Sequence, residues 1–249
     1  MKKTFAFVAT FALFASTQAF ALAGAGAHYV MNTGSLESSS GKVGEITVKQ
    51  EGASGLQGLG FKAWIDLLPV VDIEGTFNVA ATRYRTSLII PGVAEPIYLS
   101  YTPDAPYSMI FDRADPLYGI FTGDVSVTYP FFDDLPIIRP YIGAGISYMA
   151  SIPVVDAGFA KGVLSNQELL DGLTGGNPDA ADDIRDAVIN TLKESDYKAG
   201  IGGHIIAGFR LKLPIIPIAA YANGKYYFGG DVGPFTQGFV LEVGGGLAL

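Results

Sequence analysis

Val71-Asp72-Ile73-Glu74-Gly75-Thr76-Phe77-Asn78-Val79-Ala80-Ala81-Thr82 decides the fold. Val71, Ile73, Phe77, Val79 and Ala81 fall on one side of an extended chain, and Asp72, Glu74, Thr76, Asn78 and Thr82 fall on the other. Side chains of a strand alternate between two faces, so this stretch is a strand with one apolar and one polar face. The same period recurs seven times. Residues 22–32 set Ala23, Ala25, Ala27, Tyr29 and Met31 against Gly24, Gly26 and His28. Residues 57–67 set Leu59, Phe61, Ala63 and Ile65 against Lys62, Trp64 and Asp66. Further runs cover 118–129, 139–151, 197–212, 216–228 and 238–249. Eight such runs in one chain predict an all-β protein of eight antiparallel strands.

The connections carry a second signal. Leu68-Pro69-Val70-Val71, Leu135-Pro136-Ile137-Ile138 and Leu213-Pro214-Ile215-Ile216 repeat one motif at three short turns. Proline lacks a ladder donor and suits turns and strand starts. The other connections, 33–56, 85–117, 152–196 and 229–237, include three long ones. Short turns at one end and long loops at the other is the pattern of a membrane barrel, with periplasmic turns and extracellular loops.

The ends and the composition agree. Lys2 and Lys3, the apolar residues 4–15 and Ala19-Phe20-Ala21 read as a cleaved signal peptide over 1–21. Residues 22–249 then form a single domain. Hydrophobic residues make up 49% of the chain and the mean hydropathy is +0.33. Yet no later run approaches the ~20 apolar residues of a spanning helix. Apolar residues alternating with polar ones resolve that conflict, because lipid lies on one side of a barrel wall and the lumen on the other. A soluble β-barrel or sandwich fits the same alternation with the apolar face turned inward. The glycine-rich polar faces and the clustered short turns favour the membrane form.

Several functions are excluded or weakened. The net charge of −8 becomes −10 without Lys2 and Lys3, and nucleic-acid binding needs a basic face. Cysteine is absent, so there is no disulfide, thiolate nucleophile or cysteine metal site. No cofactor or metal is expected. His28 and His204 are the only histidines, and both fall on polar faces. Neither has a serine two residues further along its own strand, where Val30 and Ile206 stand, so no catalytic residue is assigned and no enzymatic activity is expected.

An eight-stranded lumen is just wide enough for side chains to fill it. The polar faces place Lys62, Asp66, Asp72, Glu74, Asp124, Arg139, His204, Arg210, Lys225 and Glu242 there, with His28, Lys198 and Lys212. Buried charges persist when paired. The expectation is an internal charge network that plugs the barrel. A narrow polar conduit is the alternative, and it needs the lumen glycines to leave space. In the third long loop, 153–196, Ser165-Asn166-Gln167-Glu168 matches a capping box for a short helix over 166–172. Asn177-Pro178 then starts a helix over 178–195, with Ala181, Ile184, Val188 and Leu192 as one apolar stripe. Nine acidic and three basic residues lie between 153 and 196.

The strand and loop layout, and the run Arg139-Pro140-Tyr141-Ile142-Gly143-Ala144-Gly145, resemble the eight-stranded outer-membrane barrels of the OmpA, OmpX and OmpW group. The final residue departs from the pattern, because such chains usually end on an aromatic residue and this one ends on Leu249. The resemblance implies a porin-like monomer in the outer membrane of a Gram-negative cell. It would be surrounded by lipid and lipopolysaccharide and inserted by the barrel-assembly machinery. An OmpA- or OmpX-like role is structural, through surface-exposed loops. An OmpW-like role is passage of a small hydrophobic ligand. Barrel enzymes that modify lipids are a third, minor reading.

Overall fold

The computed structural model describes residues 23–66, 70–99, 115–131, 137–152, 198–212, 216–233 and 235–248. Eight strands close into an antiparallel barrel: β1 (Ala23–Leu36), β4 (Ala53–Ile65), β5 (Asp72–Arg83), β8 (Leu117–Pro130), β9 (Ile138–Ser151), β10 (Lys198–Lys212), β11 (Ile218–Gly229) and β12 (Gly238–Ala248). Each strand pairs with its sequence neighbour in the barrel. Closure comes from β1, which pairs with β4 on one side and β12 on the other, Gly24 opposite Ala248 and Asn32 opposite Val240. A closed sheet has no free edge.

The period-two faces of the sequence become the two sides of the wall. Leu59, Ile146 and Ile201 stand on the outside, 69%, 66% and 76% exposed. Phe61, Phe77, Val125, Val127, Ile142, Ile205 and Val243 join them. On the inside, Lys62, Glu74, Asp124, Arg210, Lys225 and Glu242 are buried. The connections β4–β5, β8–β9 and β10–β11 are short and share one end of the barrel.

At the long-loop end the structure departs from the sequence reading. Residues 33–56 and 85–117 are not simple connections. β1 runs on to Leu36 and β4 begins at Ala53. Between them β2 (Ser39–Val43) and β3 (Ile46–Gln50) form a hairpin, turned at Gly44 with φ of 61°. β3 pairs with β6 (Thr86–Ile89), and β6 pairs with β7 (Ile97–Tyr98). The result is a second sheet in the order β2-β3-β6-β7. Its strands have at most five residues, too few for the period to stand out from a loop. One face, with Val43, Ile46, Val48 and Leu88, is buried in the same apolar cluster as Leu36 and Leu56 of the barrel wall. The helices expected over 166–172 and 178–195, with the stripe Ala181, Ile184, Val188 and Leu192, lie outside the described residues.

Candidate functional site: the barrel interior

The interior is built in tiers that follow the strand register. At the short-turn end, Arg210 of β10 donates from Nη1 to both Asp66 oxygens, at 2.9 and 3.0 Å, and from Nη2 to Glu74 of β5. Arg139 of β9 lies 3.2 Å from Asp66 and 3.5 Å from Asp72. The Arg210 guanidinium also stacks 4.8 Å from the Trp64 ring. A planar fork of donors suits several carboxylates at once.

The next tier crosses the barrel. Lys62 donates to Glu74 at 3.0 Å and to Asn223 at 2.6 Å, and lies 3.7 Å from Glu242. Lys225 reaches Asp124 at 2.7 Å and Glu242 at 2.9 Å. The Tyr227 hydroxyl donates to the same Asp124 oxygen at 2.7 Å. Glu242 further accepts from Asn78 and Asn223, at 2.9 and 2.8 Å. Both amide nitrogens are committed to Glu242, so Asn78 offers its oxygen to His28, 2.7 Å away. His28 therefore carries its proton on Nε2, and Nδ1 accepts from Tyr221 at 3.1 Å. His204 sits between Ser126 and Ser147, 2.8 and 2.7 Å from its two ring nitrogens.

Nine of the ten residues expected in the network are thus tied by ion pairs: Lys62, Asp66, Asp72, Glu74, Asp124, Arg139, Arg210, Lys225 and Glu242. His204 joins through hydroxyls only. His28 belongs to the cluster as well. Lys198 does not: it pairs with Ser151 at the long-loop rim and its side chain is exposed. Lys212 is half-buried at the opposite rim. Two of the lumen glycines make room for the histidines. A Cβ on Gly60 would overlap the His28 ring and the Asn78 amide, and one on Gly145 would overlap His204. At Gly26, Gly58 and Gly246 a Cβ would instead meet the backbone of the neighbouring strand.

The charges face inward and the apolar residues outward. This is an inside-out barrel.

Three features of the inside-out barrel escape sequence reasoning. Serine partners for His204 exist, but on β8 and β9 rather than along β10, so a search along one strand misses them. The long-loop half of the lumen is apolar, with Val30, Leu56, Ala80, Ile120, Met149 and Val240 buried in one cluster. Val232 and Phe235, in the connection between β11 and β12, are folded into that cluster, 2% and 1% exposed. Nothing periodic in so short a connection, residues 230–237, announces an inward fold.

No protein-family model matches the sequence, and comparison with curated proteins finds no match. Among solved structures, the chain is similar to the outer-membrane protein OprG from Pseudomonas aeruginosa, at TM-score 0.48 and 11% identity over 94% of this chain and 98% of that one. It is similar to Ail, the attachment invasion locus protein of Yersinia pestis, at 0.40 and 10% over 91% and 97%. It is also similar to the N-terminal β-barrel domain of OprF from Pseudomonas aeruginosa, at 0.41 and 10% over 92% and 99%. The barrel assignment itself rests on the strand pairing.

Proposed function

We propose that this chain is an integral outer-membrane protein, a sealed eight-stranded barrel that holds a β-sheet at the cell surface as a structural and interaction element. One observation carries the reading: the wall is apolar outside and ion-paired inside. In water that polarity exposes a continuous apolar belt, far beyond the scattered apolar residues of a soluble surface. In a bilayer it satisfies every part. Lipid covers the belt, and closure satisfies the backbone groups that hydrocarbon cannot. The short turns then face the periplasm and the β2-β3-β6-β7 sheet faces out. β10 has 15 residues and β1, β8 and β9 have 14 each, against the ~9–11 that a tilted spanning strand needs. The excess lifts the surface sheet above the membrane.

The interior argues against conduction and against catalysis. Purified protein in a planar bilayer is expected to show no single-channel conductance, and deletion of 153–196 is expected to leave it silent. Stable conductance in either form overturns the sealed barrel. His204 is fully buried and both its ring nitrogens are held by hydroxyls, so no substrate atom reaches it. The second reading, a passage for small hydrophobic molecules, is favoured by the apolar long-loop half of the lumen. It requires a way past the charge network, and transfer of a hydrophobic dye across protein-loaded vesicles would support it.

A further inference from the structure

The three short turns are apolar where water-facing turns are polar. Leu67-Leu68-Pro69-Val70-Val71 and Leu213-Pro214-Ile215-Ile216-Pro217 contain no polar residue, and in Phe131-Phe132-Asp133-Asp134-Leu135-Pro136-Ile137-Ile138 only Asp133 and Asp134 are charged. Hydrated turns draw on Gly, Asn, Asp and Ser. Residues 67–69, 132–136 and 213–215 lie outside the described ones, yet each turn still shows an exposed apolar side chain: Val70 is 61% exposed, Ile137 44% and Ile216 46%. The charged side chains at the same end are withdrawn into the lumen. Those of Asp66, Asp72 and Arg210 are at most 4% exposed and that of Arg139 13%, with Lys212 half-buried. Backbone groups of the turns are paired within the protein. The Ile137 carbonyl accepts from the Lys212 amide at 3.0 Å, the Pro217 carbonyl from Ala248 at 3.2 Å and the Ile216 carbonyl from Ile218 at 2.7 Å. Pro69, Pro136, Pro214 and Pro217 have no N–H to satisfy. Ile138, opposite Leu211, and Ile218, opposite Leu247, join the tips to the outer wall. From Ile201 to Leu211 the outward face of β10 already rises about 25 Å along the barrel axis, the height of the apolar band of such barrels. The tips therefore lie just past its lower edge.

We infer that Val70, Ile137 and Ile216 anchor the turn end in phospholipid: they dip into the boundary between headgroups and acyl chains of the periplasmic leaflet. Continuity names the occupant. Through Ile138 and Ile218 the tips extend the lipid-facing belt without a polar break, so the lipid that covers the belt covers them too. Depth follows from the backbone. Turns are excluded from the hydrocarbon itself, but the boundary supplies headgroups and water to any group left unpaired, and apolar side chains enter it to a depth of about 5–10 Å. The barrel thus ends inside the membrane on its periplasmic side, and its reach into water lies at the long-loop end. The inference rests on the outer-membrane reading above, but not on the sealed lumen or the surface role.

The test uses the full chain folded into phosphatidylcholine vesicles, with one NBD fluorophore on a cysteine introduced at Val70, Ile137 or Ile216. Labels at Ile146 of the belt and Ser40 of the surface sheet are the references. The quenchers are iodide, present on both sides of the membrane, and lipids carrying a nitroxide either near the headgroup or near the end of the acyl chain. The three tip labels are expected to be quenched most by the shallow nitroxide, Ile146 by the deep one and Ser40 by iodide. Tip labels quenched by iodide as strongly as Ser40, with Ile146 shielded, overturn the anchors and leave the membrane reading standing. Tip labels that neither iodide nor either lipid quenches are covered by protein, a partner or a second copy, and that also overturns the anchors. Iodide quenching at Ile146 equal to that at Ser40 overturns the membrane reading and the anchors with it. A second measurement reads the energetics. Val70→Lys, Ile137→Lys and Ile216→Lys combined are expected to lower the folding equilibrium constant in vesicles about tenfold, three times the modest cost of a lysine near the membrane boundary. The three corresponding leucine substitutions are expected to leave it unchanged. An unchanged constant in the lysine variant overturns the anchors. If that variant fails to insert, the quenching of the single labels decides.

Discussion

Replacing Lys225 by methionine is expected to destabilise the folded barrel by about 3–5 kcal/mol, the usual cost of removing one partner from a buried charge cluster. Lys225 is fully buried and bridges Asp124 and Glu242. Among the described residues, its loss leaves Asp124 hydrogen-bonded only to the Tyr227 hydroxyl, and leaves Glu242 to Lys62, two amides and the His28 ring 4.0 Å away. Trp64 is the single tryptophan and sits in the lumen, so its fluorescence reports unfolding directly. In urea, with slopes of roughly 1–3 kcal/mol per molar, the midpoint is expected to fall by roughly 1 M or more. Asp124→Leu combined with Lys225→Met removes the stranded carboxylate as well. The double variant is expected to lose clearly less than the sum of the two single ones, because contacting charges are not additive. A water-filled lumen gives a different result. Water would replace the ammonium, and Lys225→Met would cost no more than the ~0–1 kcal/mol of an exposed pair.

The second large effect is expected on the opposite side of the wall. Ile146 is outward on β9, near mid-height, and 66% exposed. On a water-facing surface, Ile146→Arg would change stability by no more than about 0.5 kcal/mol. Facing lipid, an arginine near the bilayer centre costs about 2–4 kcal/mol. The variant is therefore expected to insert poorly into vesicles. It should lose most of the shift in gel migration that a folded barrel shows between unboiled and boiled samples. Ile146→Leu should keep that shift in full.

Both expectations rest on features the sequence already carried. The side of the wall on which Lys225 and Ile146 fall follows from period two alone, because a strand offers only two faces. The composition of the interior network was legible for the same reason: inward parity collects Lys62, Asp66, Glu74, Arg210 and Glu242 without any structure. The pairing was not legible. Lys62 meets Glu74 on the next strand, but it also meets Asn223 and Glu242 across the barrel, and cross-barrel partners depend on tier height and curvature rather than on spacing. His204 shows the same limit, since its two serines come from neighbouring strands. The surface sheet was hidden because β2, β3, β6 and β7 are too short to display a period. The burial of Val232 and Phe235 was hidden because a turn that folds inward has no period at all. The helices of the third long loop stand as sequence expectations outside the described residues.

The central claim is that the wall is lipid-facing outside and charge-filled inside. Spin-label accessibility along β9 tests it most directly, since a chain without cysteine takes one label per introduced cysteine. Labels at Ile142, Ala144, Ile146 and Tyr148, in lipid vesicles, are compared with one at Ser40 of the surface sheet. The account predicts that all four β9 labels are open to oxygen and shielded from a water-soluble nickel chelate, while Ser40 is open to the chelate. Chelate access at Ile146 equal to that at Ser40 would contradict it.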